Sequence, residues 1–273
     1  MAAAFPDAAE LERVLDLAAR APSAGNTQPW RWHVDNRGVQ LFADWPRRRG
    51  DTDSDRRDVF LSCGAVLHHC AVAFAAAGWS SRVHRFPADD VLASFELDPQ
   101  PAGDGSRELA DAIALRRADR RPYSGSLPAG TVELLVMRAQ RFGVQLSVVP
   151  TSRWTRIGAT EFALRYAAGA DQHDDDQAAM LVLATDTDSD LMRLRAGEAL
   201  SHLTLSAAAL GLATCPLTEP LRDPRNSLTL ACEIFDGDAY PQALIRLGQQ
   251  SDGDPLPPLE RRSVAETTTF ALQ

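Results

Sequence analysis

Three short stretches carry side chains whose types and spacing could do chemistry. The first, "PSAGNTQPW" (residues 22–30), sets Ser23, Asn26 and Gln28 among residues that no helix tolerates. Hydroxyl and amide groups beside exposed backbone suit a ligand edge that both donates and accepts hydrogen bonds. The same groups could cap a purely structural loop, and composition does not choose between the two. The second stretch, "IALRRADRRPY" (residues 113–123), holds Arg116, Arg117 and Arg120. Helical spacing puts Arg116 and Arg120 on one face, and clustered guanidinium groups bind phosphate or carboxylate. A solvated run of surface charge has the same composition. The third, "GLATCPLTEP" (residues 211–220), leaves an apolar helix as a strand in which Pro216 breaks the ladder. Exposed backbone N–H groups at that break would suit a flat ligand lying against main chain. Cys215 has no histidine close by in sequence, which argues against a thiolate nucleophile.

Other chemistries are excluded or disfavoured by composition. The chain has 28 Lys and Arg residues, and every one of them is Arg. Without lysine there is no Schiff base for pyridoxal phosphate and no Walker-type phosphate loop. Cys63 and Cys70 share a helix face in "CGAVLHHC", yet zinc sites want Cys pairs two to four apart with a matching second pair, so buried core residues are expected and no metal. "DTDSDRRDVFLS" has the alternating acids of a calcium loop but Arg56 where the turn needs Gly and Ser62 where the bidentate Glu belongs. "DQHDDD" (residues 171–176) reads as a solvated acidic loop. A net charge of −9 argues against a nucleic-acid partner. No apolar run reaches the roughly 18 residues of a membrane span, and the early acids of the N-terminus are unlike a secretory signal. A cytoplasmic protein is expected.

The elements that must position these residues follow from hydrophobic period. Leu11, Val14, Leu15 and Ala18 mark an amphipathic helix over 8–20 that Pro22 stops. "WRWHV" and "VQLFAD" read as a hairpin, and 59–77 as a buried helix capped by Gly78. "RVHRF" and "ASFELD" follow as strands. The Pro- and Gly-rich run 99–108 reads as a linker, with helices after it at 108–118 and 131–141. "VQLSVV" and "AMLVLAT" read as strands separated by a helical region around 154–168. Residues 196–210 form a second apolar helix capped by Gly211, and "PQALIRLG" is a last core strand before a Pro-rich tail. The two apolar helices match at one offset of 133 residues (Gly64 with Gly197, Leu67 with Leu200, His69 with His202, Gly78 with Gly211), which points to an internal duplication.

Together the three stretches resemble the nitroreductase superfamily of FMN enzymes. In that superfamily a P-S-x-x-N-x-Q-P-W loop faces the flavin, and Pro22, Ser23, Ala24, Asn26 and Gln28 occupy the matching positions. Its R-R-S-x-R type segment grips the flavin phosphate and ribityl chain. Arg116, Arg117 and Arg120 match it, with Ala118 in place of the usual hydroxyl residue, so one side-chain hydroxyl is lost. "ATCPLTE" is similar to the stretch whose backbone flanks flavin N5, which implies Pro216, Leu217 and Thr218 beside the ring. Arg262 in "PPLERRSVAE" matches a phosphate ligand.

An ordinary member carries the arginine segment first and the loop about thirty residues later. Here the loop lies in the first half and the arginine segment in the second, a pattern that resembles the Acg-type branch of NAD(P)H nitroreductases. The resemblance implies an α+β pseudo-dimer with long central helices and antiparallel sheets: a first unit at 1–100, a linker at 101–107 and a second unit at 108–273. It implies FMN as cofactor and NAD(P)H as co-substrate, with ping-pong hydride transfer to a small-molecule electron acceptor such as a nitro compound or quinone. No side chain is needed as general acid. The chain would be a monomer mimicking a dimer, or would pair further as a homodimer. The same branch leaves open an FMN storage protein with little turnover.

Overall fold

The computed structural model describes residues 5–36, 38–157, 161–164, 176–250 and 256–271. The chain divides into two compact units, Met1–Leu115 with Leu259–Gln273, and Arg116–Pro258.

In the first unit, Asp7 caps helix α1 (Ala8–Ala18) by accepting the Glu10 N–H, and the helix buries Leu11, Val14, Leu15 and Ala18, the stripe its period predicts. The hairpin of β1 (Trp30–Asp35) and β2 (Gly38–Ala43) is antiparallel. Alternation along β1 sends Trp30, Trp32 and Val34 into the core, so both tryptophans after the loop are core residues. The acidic "DTDSD" run starts α2 (Asp53–Ala76). There the Thr52 hydroxyl accepts the Asp55 N–H and the Asp55 carboxylate accepts the Thr52 N–H, a capping box at the positive end of the helix dipole. Helix α2 is long and apolar enough to cross a membrane, contrary to the run-length estimate, but 78% of its apolar window is buried inside the protein. Cys63, Cys70 and His69 are wholly buried in it. Strands β3 (Trp79–Ala88) and β4 (Val91–Pro99) follow, then α3 (Asp104–Leu115).

The second unit contains α4 (Thr131–Gln140), β5 (Gln145–Val149), the antiparallel pair β6 (Trp154–Ile157) and β7 (Glu161–Leu164), and β8 (Ala179–Thr185). It continues through α5 (Asp190–Ala209), β9 (Leu212–Leu217), α6 (Pro224–Phe235) and β10 (Tyr240–Gln249). A short α7 (Val264–Thr267) and β11 (Thr268–Ala271) then belong to the first unit, where β11 pairs parallel with β1.

The duplication is visible in topology. The first unit's sheet runs β11-β1-β2-β4-β3 and the second's runs β5-β8-β10-β9. Setting aside β11, the β6–β7 pair and helices α3 and α6, each is a helix, two strands, a central helix and two strands, with the strands in the same order across the sheet. Even the offset holds: Gly78 and Gly211 end the central helices with φ of 93° and 73°, and β3 and β9 start at the next residue.

Four expectations change. Helix α3 begins at Asp104, inside the expected linker, and its contacts with α2 carry the first unit to Leu115 instead of 100. Its stripe is thin, with only Ala112 and Ile113 buried, which is why the preceding Gly and Pro dominate the pattern. The last residues return to the first unit. Where a helix around 154–168 was expected, Trp154–Ile157 and Glu161–Leu164 pair as antiparallel strands; residues 158–160 and 165–168 lie outside the described residues. Helix α6 and strand β11 were unforeseen.

Candidate functional site

Helix α3 stops at Leu115, so Arg116, Arg117 and Arg120 lie on extended chain and not on one helical face. What organises them is β9. Ala118 bridges Thr214 in parallel, and the Asp119 N–H donates to the Thr214 carbonyl at 3.1 Å. Arg120 pairs with Glu219 at 2.7 Å. Arg117 donates from Nε to the Leu256 carbonyl (3.1 Å) and from Nη1 to the Arg116 carbonyl (2.8 Å), while Arg116 is buried. Arg121 grips the Asp119 carboxylate at 2.7 Å. The second and third stretches are therefore brought together within one unit.

Strand β9 is the edge of its sheet, and its partner register places Cys215 opposite Arg246 and Leu217 opposite Leu244. The Thr214 carbonyl faces Asp119, so Thr214 and Pro216 turn their main chain away from β10. Proline fits there because no ladder N–H is required. The expected row of exposed N–H donors is absent at these positions: Pro216 has none, and Thr218 donates its own to the Glu219 carboxylate at 3.2 Å. Burial works against the ionised form of Glu219, but the hydrogen bond from its own N–H, Arg120 and the Thr218 N–H outweigh it and hold its pKa below the usual value. Burial, reinforced by Glu219 and Asp119 against the pull of Arg120 and Arg246, pushes the Cys215 thiol up to about 11. It stays protonated at neutral pH.

Below this segment lies a group that sequence reasoning missed. Arg246 on β10 and Asp176 are both wholly buried and form an ion pair. Asp176 is the one described residue of "DQHDDD", and it is in the core instead of being solvated; residues 171–175 lie outside the described residues. Arg246 donates to the carbonyls of Asp119 (3.3 Å) and Arg121 (3.2 Å), and the Tyr123 ring sits 4.3 Å from its guanidinium carbon. The available signal was an arginine inside the otherwise apolar "ALIRLG".

The opening loop and the tail form a second group, within the first unit. Residues Ala24–Asn26 make one 3-10 turn, with Gly25 and Asn26 in the left-handed region. The Ser23 hydroxyl accepts the Gln28 N–H (3.0 Å), and the Ala24 N–H donates to Ser62 on α2 (3.2 Å). Pro22, just after α1, is half-buried. Asn26 donates to the Glu260 carbonyl (3.1 Å) and accepts from Arg261 (2.7 Å). Gln28, 5% exposed, accepts the Arg262 N–H at 2.8 Å. Arg262 donates to Asp44 (3.2 Å) and to the carbonyls of Gln28 (3.1 Å) and Glu266 (2.8 Å). The two amides expected to meet a ligand thus fasten the tail to the loop, and the charge of Arg262 is answered by Asp44.

Residues 2–41 match the sequence profile of the Nitroreductase family. The Mycobacterium tuberculosis H37Rv protein named "Putative NAD(P)H nitroreductase Rv3131" is 38% identical over 319 aligned positions, covering 97% of this chain and 93% of its own. "Putative NAD(P)H nitroreductase acg" from the same strain is 33% identical over 312 positions, 94% of each chain. A crystal structure of "a putative nitroreductase" from Anabaena variabilis superposes with a TM-score of 0.56 at 11% identity, over 91% of this chain and 90% of that one, a likeness of fold. The chain belongs to the nitroreductase family.

Proposed function

We propose that the protein is an FMN-dependent oxidoreductase that draws on NAD(P)H to reduce small electron-poor acceptors such as nitro compounds or quinones. Its family and the names of its relatives support that reaction class. The observation that carries the reading is the laying of Arg116, Arg117 and Arg120 along the edge of β9.

The donor set there fits a phosphate-bearing cofactor. Three guanidinium groups follow one another along β9, with Arg117 donating to the Leu256 and Arg116 carbonyls among its contacts and Arg120 held by a partly exposed Glu219 that a phosphate can displace. The loop and tail fit less well, since Arg262 is neutralised by Asp44 and both amides are engaged. Phosphate holding is therefore assigned to the three arginines. Ser23, Asn26, Gln28 and Arg262 are assigned to the shape of the loop, and Pro22 and Ala24 to its main chain. When bound, the flavin supplies the redox chemistry, taking hydride from the nicotinamide and passing electrons to the acceptor. Main chain at Pro216, Leu217 and Thr218 offers a flat edge for a ring, and the protonated Cys215 stays out of the reaction.

Steady-state rates with NADPH or NADH and a nitroaromatic or quinone acceptor, both varied, test the reading on FMN-loaded protein. Parallel double-reciprocal lines are expected. Protein that takes up FMN but oxidises neither nucleotide is an FMN store, and protein that takes up none has lost the cofactor; either result contradicts the proposal.

A further inference from the structure

We infer that Arg246, Asp176 and Tyr123 are positioning residues for the arginine segment, setting its affinity for a phosphate-bearing cofactor without touching that cofactor. The inference rests on the assignment of Arg116, Arg117 and Arg120 to the phosphate. A guanidinium on an inner strand of a sheet, with no exposed surface, is a costly residue to keep. Asp176, equally buried, compensates its charge, yet a buried ion pair is often no more stabilising than apolar residues of the same size. Its use lies in direction. Two of the guanidinium's hydrogen bonds go to the segment, at the carbonyls of Asp119 and Arg121 on either side of Arg120.

Tyr123 closes the arrangement. Its ring covers the guanidinium, its hydroxyl donates to the same Asp119 carbonyl at 2.6 Å, and its N–H donates to Asp176 at 3.0 Å. The Gln177 N–H donates to the Tyr123 carbonyl at 2.9 Å. Gly248 lets the ring sit so low: a Cβ there would lie 2.7 Å from Tyr123 Cδ2 and 2.8 Å from its Cβ. From the other side, the Asp119 N–H is tied to Thr214. Residue 119 is thus fixed through its N–H, its carbonyl and its carboxylate, and the arginines on both sides leave the chain in set directions. An exposed arginine run has no such frame and spends its rotamer freedom on binding, whereas a fixed backbone reduces what must be ordered when a phosphate arrives.

Tyr123→Phe is the informative variant, because it keeps the ring over Arg246 and removes one hydrogen bond to Asp119. Asp176→Asn is the stronger perturbation. Val182→Ala opens the same core without touching the segment and serves as the comparison for lost stability. FMN affinity is read by fluorescence quenching, with the melting temperature of each variant measured alongside. Tyr123→Phe is expected to bind FMN roughly fivefold or more weakly, while Val182→Ala binds like the parent at an equal or larger loss of melting temperature. Unchanged affinity in Tyr123→Phe, or an equal loss in Val182→Ala, overturns the inference. Trypsin cleavage of the FMN-free protein after Arg116, Arg117 and Arg120 gives a second readout. It is expected to be faster in Tyr123→Phe than in Val182→Ala, and equal rates also overturn the inference. If the parent takes up no FMN, the cofactor assignment fails, and the cleavage pattern still decides the positioning claim.

Discussion

Arg262 and Arg117 have the same side chain and opposite expected roles. Arg262 sits between a carboxylate and several carbonyls, mostly buried, so its loss removes their shared donor and leaves Asp44 only a long 4.0 Å contact with Arg31. Arg262→Gln is expected to lower unfolding free energy by about 2–3 kcal/mol, read by urea denaturation, with little change in FMN affinity once the protein is folded. Arg117→Ala is expected to do the reverse, weakening FMN about tenfold at nearly unchanged stability. A stable Arg262→Gln protein that has lost FMN binding would contradict this division of roles. At this scale the sequence was legible where a residue type implies a chemistry, as for the clustered arginines. It was not legible where the partner decides the role. Nothing near Arg262 in the chain announces Asp44, and nothing near Asn26 announces the tail.

At the scale of elements, the strongly periodic pieces were readable: α1, the β1–β2 hairpin, the two apolar helices and β10. The thin stripe of α3 and the added strand β11 were not, because their existence depends on partners far along the chain, and the four-residue strands β6 and β7 are too short to show a period. The packing of α4 with α5 carries a pH prediction. Burial, followed by the charges of Arg138 and Arg141, lowers the pKa of His202 on α5 from 6.5 to about 4. The unfolded chain therefore takes up this proton first as pH falls, so the contribution to stability is full above 6.5 and is lost progressively toward pH 4. His202→Leu is expected to shrink the difference in urea midpoint between those limits, and an unchanged difference would show that other groups set it. On β10, Gly248→Ala is expected to unseat the Tyr123 ring and cost about 1–3 kcal/mol, seen as a fall in melting temperature. A melting temperature equal to the parent's would mean the ring can shift without strain.

For the whole molecule, the offset of 133 residues was legible early because two long apolar helices share it, and the matching strand order of the two sheets gives it structural content. The copies have diverged where chemistry is at stake. Residues 19–29 separate α1 from β1 and hold the Ser23–Gln28 turn, whereas only residues 141–144 separate α4 from β5. The arginine segment lies against β9, and the strand at the same place in the first unit, β3, has Val83 where β9 has Pro216. One FMN per chain is expected by equilibrium titration, and a stoichiometry of two would mean that the first unit's edge strand also holds cofactor. The most direct test of the central claim is anaerobic mixing of the FMN-loaded protein with NADPH or NADH while the visible flavin band is followed. Rapid bleaching, reversed when a nitroaromatic or quinone is added, is the predicted result. A flavin that stays oxidised against both nucleotides would contradict it.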